Sequence, residues 1–515
     1  MSERSTIIIA ALTLFAATWA YRHRKNKEVS SFPLPPSPKS YPLIGHLLSI
    51  PSEYQHLGYA ELSKQLSSDI ISLTVFGQTL VILNKREDAI NLFEKRSAAY
   101  SDRTCPLTAT DPSLLDWGNF GSLIGYGDRW RRYRRLMNPW LTKKAVIVFE
   151  ESQERAARHL LQRLLKDDKV TRSSHDIEAE LYLSVSAALI RSIYGHEPAS
   201  SSDEVLVRSR TVFSYLSKCT LPPNFYVNTF PVLMYVPEWF PGAGWKRDVK
   251  GWRKEKESFL SDTYQLGLDN MKKRPDKPLM LTSLRNQALK LGLTQQEADD
   301  HVAQLTVTLF SGGTDTVVDT LLIFMLAMVL NPEVQKRAQE ELDSVVGDTR
   351  LPSFQDRSQL GSIERIVQET LRWNPTTPVA FPHTCFRDDT YKGYHIPKGA
   401  IVIGNVWAMT RDEDVYKSPE NFNPDRFLDS STPPSPLFGW GRRRCPGVYF
   451  AESSLFITIA SILMVFDIKP ALDEHGHDIL PNQRMTNSLV VAPEPFTFRL
   501  VPRSSGHKEL VQNSL

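Results

Sequence analysis

The residues best suited to bind a metal cofactor lie in the segment FGWGRRRCPG, residues 438–447. Gly439 and Gly441 allow a tight turn, and Pro446 suits the first position of a helix. We therefore expect Cys445 at a helix N-terminus, beside arginines, where positive potential favours the thiolate. Haem iron binds thiolate, and the electron donation of the sulfur favours O–O cleavage. The alternative is a buried structural cysteine in a glycine-rich loop.

A second candidate region is the segment GGTDT, residues 312–316, which lies inside an apolar run spanning residues 304–330. Two glycines weaken a helix, and a carboxylate among apolar residues has a desolvation cost. By these residues alone, the simplest interpretation is a kinked helix with Asp315 exposed.

Two further patterns place polar side chains on one helix face. Glu369 and Arg372 are three residues apart in ETLR, and Trp130 and Arg134 are four apart in WRRYR. Residues at these spacings are neighbours on a helix. Taken alone, the first pattern is typical of a solvated pair and the second of a basic surface patch.

Together these motifs resemble the cytochrome P450 superfamily. The segment 438–447 is similar to the haem-binding loop of that family, and ETLR followed by NPDRF, residues 423–427, stands in the family's order. The fixed positions of the loop are occupied by Phe438, Gly441, Arg443, Cys445 and Gly447. The resemblance runs over nearly the whole body and implies haem b with Cys445 as its axial ligand. It also implies a buried structural network of Glu369, Arg372 and Arg426.

The resemblance assigns a role to the GGTDT segment. In the family, an acid and a threonine lie over the haem and relay protons to bound dioxygen, and the glycine pair lets the helix open. It therefore implies that Asp315 and Thr316 deliver protons and that Gly312 contacts the cofactor. Val317 departs from the hydroxyl residue that often follows this threonine, which removes an accessory hydroxyl group.

Buried propionates of the cofactor would require cationic or hydrogen-bonding partners. The resemblance implies that these partners are Trp130, Arg134, His383 and Arg443, and Phe438 completes the predicted cofactor-binding set. The remaining arginines near Trp130, together with the Arg442 region, are candidates for a face that docks an acidic electron donor; they are Arg131, Arg132 and Arg135.

The N-terminus predicts a membrane anchor. Residues 6–21 are apolar and precede a basic run, and sixteen helical residues span about 24 Å, close to the ~30 Å of a hydrocarbon core. The charge follows the apolar run, which argues against the alternative of a cleaved secretory signal. We predict an anchor over 1–27, a proline-rich hinge over 28–45, and a haem-thiolate domain over 46–515. The positive-inside rule places that domain on the cytoplasmic side of a single-pass endoplasmic reticulum protein.

Composition and patterning predict a mainly α fold with small β-sheets. Helical patterns extend over 150–165 and 298–330, whereas 70–84 and 390–406 have strand character. A net charge of +3, from 61 basic and 58 acidic residues, argues against nucleic acid as the partner. Four scattered cysteines fit a reducing compartment.

The predicted activity is that of a monooxygenase that inserts one atom of O2 into a small, largely apolar organic substrate. No flavin or nicotinamide fingerprint follows residue 447, so the electrons are expected from NADPH through a partner cytochrome reductase. The sequence resembles fungal members that act in secondary metabolism. The alternatives are an isomerase or dehydratase that does not use O2, and a non-catalytic haem-binding protein.

Two segments are assigned to the substrate pocket by resemblance. Residues 104–126 are expected to cover it. The aromatic-rich stretch 225–245 is expected either in the core or at the bilayer beside the substrate entrance, and the sequence leaves both open.

Overall fold

A computed structural model describes residues 32–166, 169–220, 224–273 and 279–513. The predicted anchor, residues 1–27, lies outside these ranges. The described α-helices are α1 (Gln55–Gln65), α2 (Arg86–Ala89), α3 (Leu107–Thr110), α4 (Asp128–Leu141), α5 (Glu150–Lys166), α6 (Ser174–Tyr194), α7 (Glu204–Thr220), α8 (Gly244–Lys273), α9 (Met280–Lys290), α10 (Gln295–Leu330), α11 (Pro332–Val345), α12 (Gly361–Trp373), α13 (Val406–Thr410), α14 (Val448–Val465) and α15 (Ser505–Gln512).

The described strands are short, as the sequence predicts for a mainly α chain. They are β1 (Ile70–Val75), β2 (Gln78–Leu83), β3 (Thr171–Ser173), β4 (His383–Thr384), β5 (Asp389–Tyr391), β6 (Tyr394–Ile396), β7 (Ile401–Gly404), β8 (Phe466–Leu472), β9 (Asp478–Ile479) and β10 (Thr497–Pro502).

The described residues form two compact units. The small unit comprises residues 32–104, 378–412 and 439–444, and the large unit comprises 105–377, 413–438 and 445–513. The small unit contains the sheet β1-β2-β7-β4 and the hairpin β5-β6, whereas the large unit contains most helices and the sheet β3-β10-β8-β9.

In the small unit, the predicted strand segment 70–84 is the antiparallel hairpin β1-β2, with Ile71 opposite Ile82. Strand β7, within the second predicted strand region, pairs with β2 in parallel. Part of the predicted hinge is attached to this sheet, because the amide and hydroxyl of Ser72 donate hydrogen bonds to the carbonyls of Pro36 and Pro35.

In the large unit, the core is built around α10 and α14. Both helices are long and apolar enough to cross a membrane, but 72% and 83% of their apolar windows are buried inside the protein. A reciprocal capping box between Thr294 and Glu297 starts α10 three residues before the predicted boundary. The helix then runs through the GGTDT segment without interruption, and α6 packs along it.

Candidate active site

The cysteine loop ends with an accessible thiol before α14. The Cys445 amide donates a 2.8 Å hydrogen bond to the Phe438 carbonyl, which closes the loop. The helix begins at Val448, two residues later than predicted from Pro446, because Pro446 and Gly447 form a turn. A Cβ built on Gly447 would lie 3.8 Å from the Cys445 Sγ, so the sulfur lies just before the N-terminus of α14. The positive electrostatic potential at a helix N-terminus favours a thiolate there.

Glycine is required at one position of this loop. Gly441 has φ +54°, and an added Cβ would lie 2.1 Å from the Phe93 carbonyl oxygen. Gly439 also has a positive φ, +71°, but its Cβ would meet no atom within 4 Å. The predicted tight turn is confirmed. Gly441 is needed for its positive φ and for the lack of space for a Cβ, whereas Gly439 is favoured by its positive φ alone.

Trp130 and Arg134 lie on one face of α4, as their spacing predicts. The guanidinium carbon of Arg134 is 5.5 Å from the centre of the buried Trp130 ring. Burial lowers the pKa of Arg134, and the nearby Cys445 sulfur opposes this shift. A cation and an indole therefore lie in the same unit as the thiol, with the cation close enough to interact with it electrostatically. Arg131 and Arg135 of the same helix are exposed.

The two glycines of the GGTDT segment have different surroundings. A Cβ on Gly312 would meet no atom within 4 Å, whereas a Cβ on Gly313 would lie 2.9 Å from the Leu189 Cδ1 of α6. Gly312 thus faces open space, and Gly313 allows close packing of α10 on α6. The Thr316 hydroxyl donates a 2.8 Å hydrogen bond to the Gly312 carbonyl, a local bond that loosens the helix only mildly.

The titratable group next to Thr316 is the carboxyl group of Asp315. Burial raises the pKa of Asp315 to about 6, and the charge of Arg210 partly offsets this effect. The carboxyl group thus titrates near neutral pH, the range in which a proton donor is most effective. Arg210 belongs to α7, so Asp315 interacts with groups beside α10 rather than standing fully exposed as the kink interpretation requires.

The predicted pocket-covering segment contacts α10 one turn before Gly312. The Gly121 amide donates a 3.1 Å hydrogen bond to the Thr308 hydroxyl, and Thr308 and Gly312 share a helix face. The segment buries apolar side chains, including Leu115, Phe120 and Leu123. The segment therefore reaches α10 one helical turn from the open space at Gly312.

The small unit holds the other predicted propionate partners. His383 lies against the Phe93 ring and is hydrogen-bonded through Nδ1 to the Tyr100 carbonyl at 2.6 Å. Arg443 Nε donates to the Ser101 carbonyl at 2.8 Å. Burial and then the charge of Arg103 hold the pKa of His383 well below its usual range, so the imidazole is neutral.

Sequence reasoning missed Arg103. Its guanidinium donates to the carbonyls of Phe381 and Pro382, immediately before His383, and interacts electrostatically with that ring. Arg103 and Arg443 thus carry the positive charge near His383, which is itself uncharged. A lone arginine in the sequence SDRT has no spacing signal; only the chain's return through residues 381–383 identifies it.

The network predicted from ETLR is confirmed. Nε and Nη2 of Arg372 each donate to one oxygen of the Glu369 carboxylate at 2.8 Å, and Arg426 Nε donates to both of its oxygens at 3.1 Å. Glu369 and Arg372 are fully buried. The Asn423 amide adds a 2.7 Å bond to the same carboxylate. These residues hold α12 to the segment around Arg426.

The aromatic stretch 225–245 has partly buried ends and an exposed middle. Phe225 and Trp245 pack together, with ring centres 6.1 Å apart, in an apolar cluster of the large unit. Tyr235 and Trp239 are instead 87% and 79% exposed. The ends of this stretch therefore pack against the core, whereas aromatic rings in its middle are exposed to solvent.

Comparisons with known proteins identify the class. The sequence matches the family model for cytochrome P450 over residues 35–500. A cytochrome P450 monooxygenase of Armillaria gallica is 35% identical over 488 residues, covering 94% of each chain. Another, from Ampulloclitocybe clavipes, is 35% identical over 93% of this chain and 88% of its own. A zebrafish cytochrome P450 solved with progesterone has the same fold, with TM-score 0.71 at 24% identity over 87% of this chain and 99% of its own.

The chain belongs to the cytochrome P450 family, and it is a monooxygenase with haem b as its cofactor. The residues present fit that group. Of the four cysteines, all within the described ranges, only Cys445 has an exposed thiol. Arg134 is close enough to that sulfur to interact with it, and a Cβ built on Gly312 of α10 would meet no atom within 4 Å.

Proposed function

We propose that this protein hydroxylates a small, largely apolar organic molecule in the biosynthesis of a secondary metabolite, such as a terpenoid, polyketide or alkaloid. The largely apolar segment 105–126 reaches α10 through the Gly121–Thr308 hydrogen bond, one turn from the open space at Gly312, and this supports an apolar substrate. The similarity to fungal monooxygenases supports the biosynthetic setting.

The observation that carries the proposal is the position of Cys445. Its thiol is exposed, it follows a loop closed by the bond to Phe438, and it lies before the N-terminus of α14. This arrangement favours a thiolate without a neighbouring base. We assign Cys445 as the axial ligand of the haem iron.

The residues of α10 would handle the protons. Haem held by Cys445 supplies the activation of O2 and the transfer of one oxygen atom to carbon. Thr316 Oγ1 donates to the Gly312 carbonyl in this structure and can donate instead to a group in the open space beside Gly312. The Asp315 carboxyl, with a pKa of about 6, supplies the proton that such a donor must regain.

Propionate binding is assigned to residues in each unit. In the large unit, Trp130 Nε1–H and the Arg134 guanidinium are the donors that we propose for this role. In the small unit we propose Arg443, and we add Arg103 to the predicted set. His383 remains a proposed partner, although its neutral ring is committed at Nδ1 to the Tyr100 carbonyl.

Electron supply and location are also proposals. We propose that an NADPH–cytochrome reductase docks against the exposed arginines of α4, Arg131 and Arg135. We further propose anchoring by residues 1–27 in the endoplasmic reticulum membrane, with the catalytic domain in the cytoplasm. The exposed rings of Tyr235 and Trp239 support contact with the bilayer, because Tyr and Trp favour membrane interfaces.

An isomerase or dehydratase that uses haem without O2 is the second candidate. It needs no delivery of protons to dioxygen, so the paired Asp315 and Thr316 favour the monooxygenase. NADPH-dependent consumption of O2 by the purified protein with a reductase discriminates between them. A haem-binding protein without catalysis would show neither O2 consumption nor a spectral change with any substrate.

The decisive experiment compares metabolites of cells that express a reductase with the wild-type chain or with Cys445→Ala. Cys219→Ala is the matched control, because this thiol is buried in an apolar cluster of the large unit. We expect an oxygenated product with the wild type and the control, and none with Cys445→Ala. A product that persists without the Cys445 sulfur would refute the proposal.

A further inference from the structure

Asp319 is a partly buried acid that the proposed mechanism does not use. It lies four residues after Asp315 on α10, so the two carboxyl groups are on neighbouring turns of one helix face. Three helices supply charged groups that interact electrostatically with Asp319: Asp315 from α10, Glu178 from α6 and Arg210 from α7. We call these four residues the carboxylate cluster.

The carboxylate cluster contains three acidic side chains and one cationic side chain. Arg210 Nη2 is 3.3 Å from Glu178 Oε1, and the guanidinium carbon lies 3.9 Å from the centre of the buried Tyr182 ring. Arg210 is thus held between an ion pair and a cation–π contact. One guanidinium cannot compensate three carboxylates, so at least one acid of the cluster is expected to keep its proton.

The acid that keeps its proton is Asp319. Burial raises the pKa of Asp319 well above its usual range, and the charges of Asp315 and Glu178 raise it further. Asp315, with a pKa of about 6, is mostly ionised at neutral pH. A protonated carboxyl group therefore stands one helical turn from an ionised one.

The cluster connects solvent with the proposed oxygen-binding side of α10. At its outer end, the side chains of Glu178 and Arg210 are 36% and 39% exposed. At its inner end, Asp315 precedes Thr316, whose hydroxyl bonds to the carbonyl of Gly312 beside the open space. Asp319 and Asp315 are both partly accessible, so water can reach them.

We propose that Asp319 is a second proton-donating group of this monooxygenase, which passes its proton to Asp315 and is reprotonated from solvent. The proton leaves an Asp319 Oδ and binds a carboxylate oxygen of the ionised Asp315. The Asp319 carboxylate then takes a proton from solvent, and Arg210 stabilises the transient negative charge. This inference rests on the proposed role of Asp315 and extends its proton supply to the surface between α6 and α7.

The first test reads protonation directly and needs no substrate. In infrared difference spectra of the purified haem-containing protein at neutral pH, the wild type should show the carbonyl stretch of a protonated carboxyl group. Asp319→Asn should remove that band, whereas Asp176→Asn, an exposed acid near the start of α6, should keep it. Identical bands in the wild type and Asp319→Asn would overturn the proposal.

The second test separates proton delivery from structure. With NADPH and a reductase, Asp319→Asn should slow O2 consumption at least about ten-fold and raise its solvent isotope effect, as expected for loss of an acid–base group. Asp319→Glu should restore most of the rate. Reduction of the haem under carbon monoxide, which needs no proton transfer, should be unchanged.

The outcomes are distinguishable from failure of the proposed function. If the wild type itself consumes no O2, the proposed function fails while the infrared test still decides the state of Asp319. If Asp319→Asn consumes O2 like the wild type, the relay through Asp319 is wrong. If both O2 consumption and haem reduction fall together, Asp319 has a structural role and the proposal is also wrong.

Discussion

The large unit contains two clusters of charged side chains, each with acidic side chains that a helix carries. The clusters differ in the number of cationic side chains available to each carboxylate. In the network at α12, the single carboxylate of Glu369 receives hydrogen bonds from both Arg372 and Arg426 and is fully buried. In the carboxylate cluster at α10, three acids share Arg210, and the cluster reaches solvent.

The difference shows how one fold separates structure from chemistry. A buried carboxylate that receives several cationic donors is held in place by them, and removing any partner leaves an uncompensated buried charge. An acid with too few cations is less stable when ionised, but its pKa approaches the pH at which a donor is useful. The α12 network therefore holds the fold, and the cluster at α10 is suited to moving protons.

The largest expected effect comes from breaking the balanced network. Arg372→Ala should lower the free energy of unfolding by about 3–5 kcal/mol, because Glu369 loses its fully buried partner. Chemical denaturation of the purified protein measures this change. Failure to accumulate folded protein would agree with it.

A surface pair provides the control for this prediction. Arg337 of α11 lies 3.1 Å from Asp425 and is 56% exposed. Arg337→Ala should cost no more than about 1 kcal/mol, as is usual for exposed ion pairs. Equal losses for the two variants would mean that burial does not distinguish these pairs, which contradicts the comparison.

A change in the unbalanced cluster should lower catalytic activity. Asp315→Asn should lower NADPH-dependent O2 consumption by about 10²-fold, the low end for removal of a positioned acid–base group. Oxygen uptake with a reductase, measured beside Asp176→Asn as a charge control, tests this effect.

The stability of the same variant should depend on pH. Because the pKa of Asp315 is raised to about 6, ionising it destabilises the folded protein as pH rises from about 4 through 6. Asp315→Asn should therefore have a higher melting temperature than the wild type at pH 8, with a smaller difference at pH 5. A difference that shrinks with rising pH would contradict the assigned environment.

A similar contrast separates the two glycines of the cysteine loop, with a smaller effect. Gly441→Ala should lower haem content and cost more than about 2 kcal/mol, because it combines a positive φ with a Cβ 2.1 Å from the Phe93 oxygen. Gly439→Ala meets only the backbone strain and should cost about 1–2 kcal/mol. Haem absorbance per protein and thermal unfolding measure both; a harsher effect at Gly439 would be inconsistent with this geometry.

The smallest expected effect concerns the glycines of α10. Gly312→Ala should raise the free energy of unfolding by up to about 1 kcal/mol, because alanine favours a helix and the Cβ meets no atom. It should also reduce product formation by filling the open space. Gly313→Ala should gain no stability, because Leu189 must move. A destabilised Gly312→Ala would show that this space is not open.

Much of this arrangement could be predicted from short-range patterns. The hairpin of residues 70–84, the long α10, the Glu369–Arg372 pair and the closed cysteine loop each follow from local spacing or a contiguous motif. The start of α14 at Val448 was not predicted, because proline is common both in the first turn of a helix and in a turn that precedes a helix. The residue type of Pro446 does not distinguish these positions.

Features built from distant segments were not predictable in this way. Arg103 and His383 are 280 residues apart, and Asp319 acquires its environment from α6 and α7. The sequence shows that Asp319 interrupts an apolar run, but not that Arg210 of another helix interacts with it. Likewise, only packing distinguishes the exposed Trp239 from the partly buried ends of its aromatic segment.

The most direct test of the account is the ferrous carbon monoxide spectrum of the purified protein, with Cys445→Ser beside it. The account predicts the absorption of thiolate-bound haem for the wild type and its loss in the variant, with Cys219→Ala unchanged. A wild-type spectrum typical of histidine-bound haem, or a thiolate spectrum that survives in Cys445→Ser, would contradict the assignment of the axial ligand.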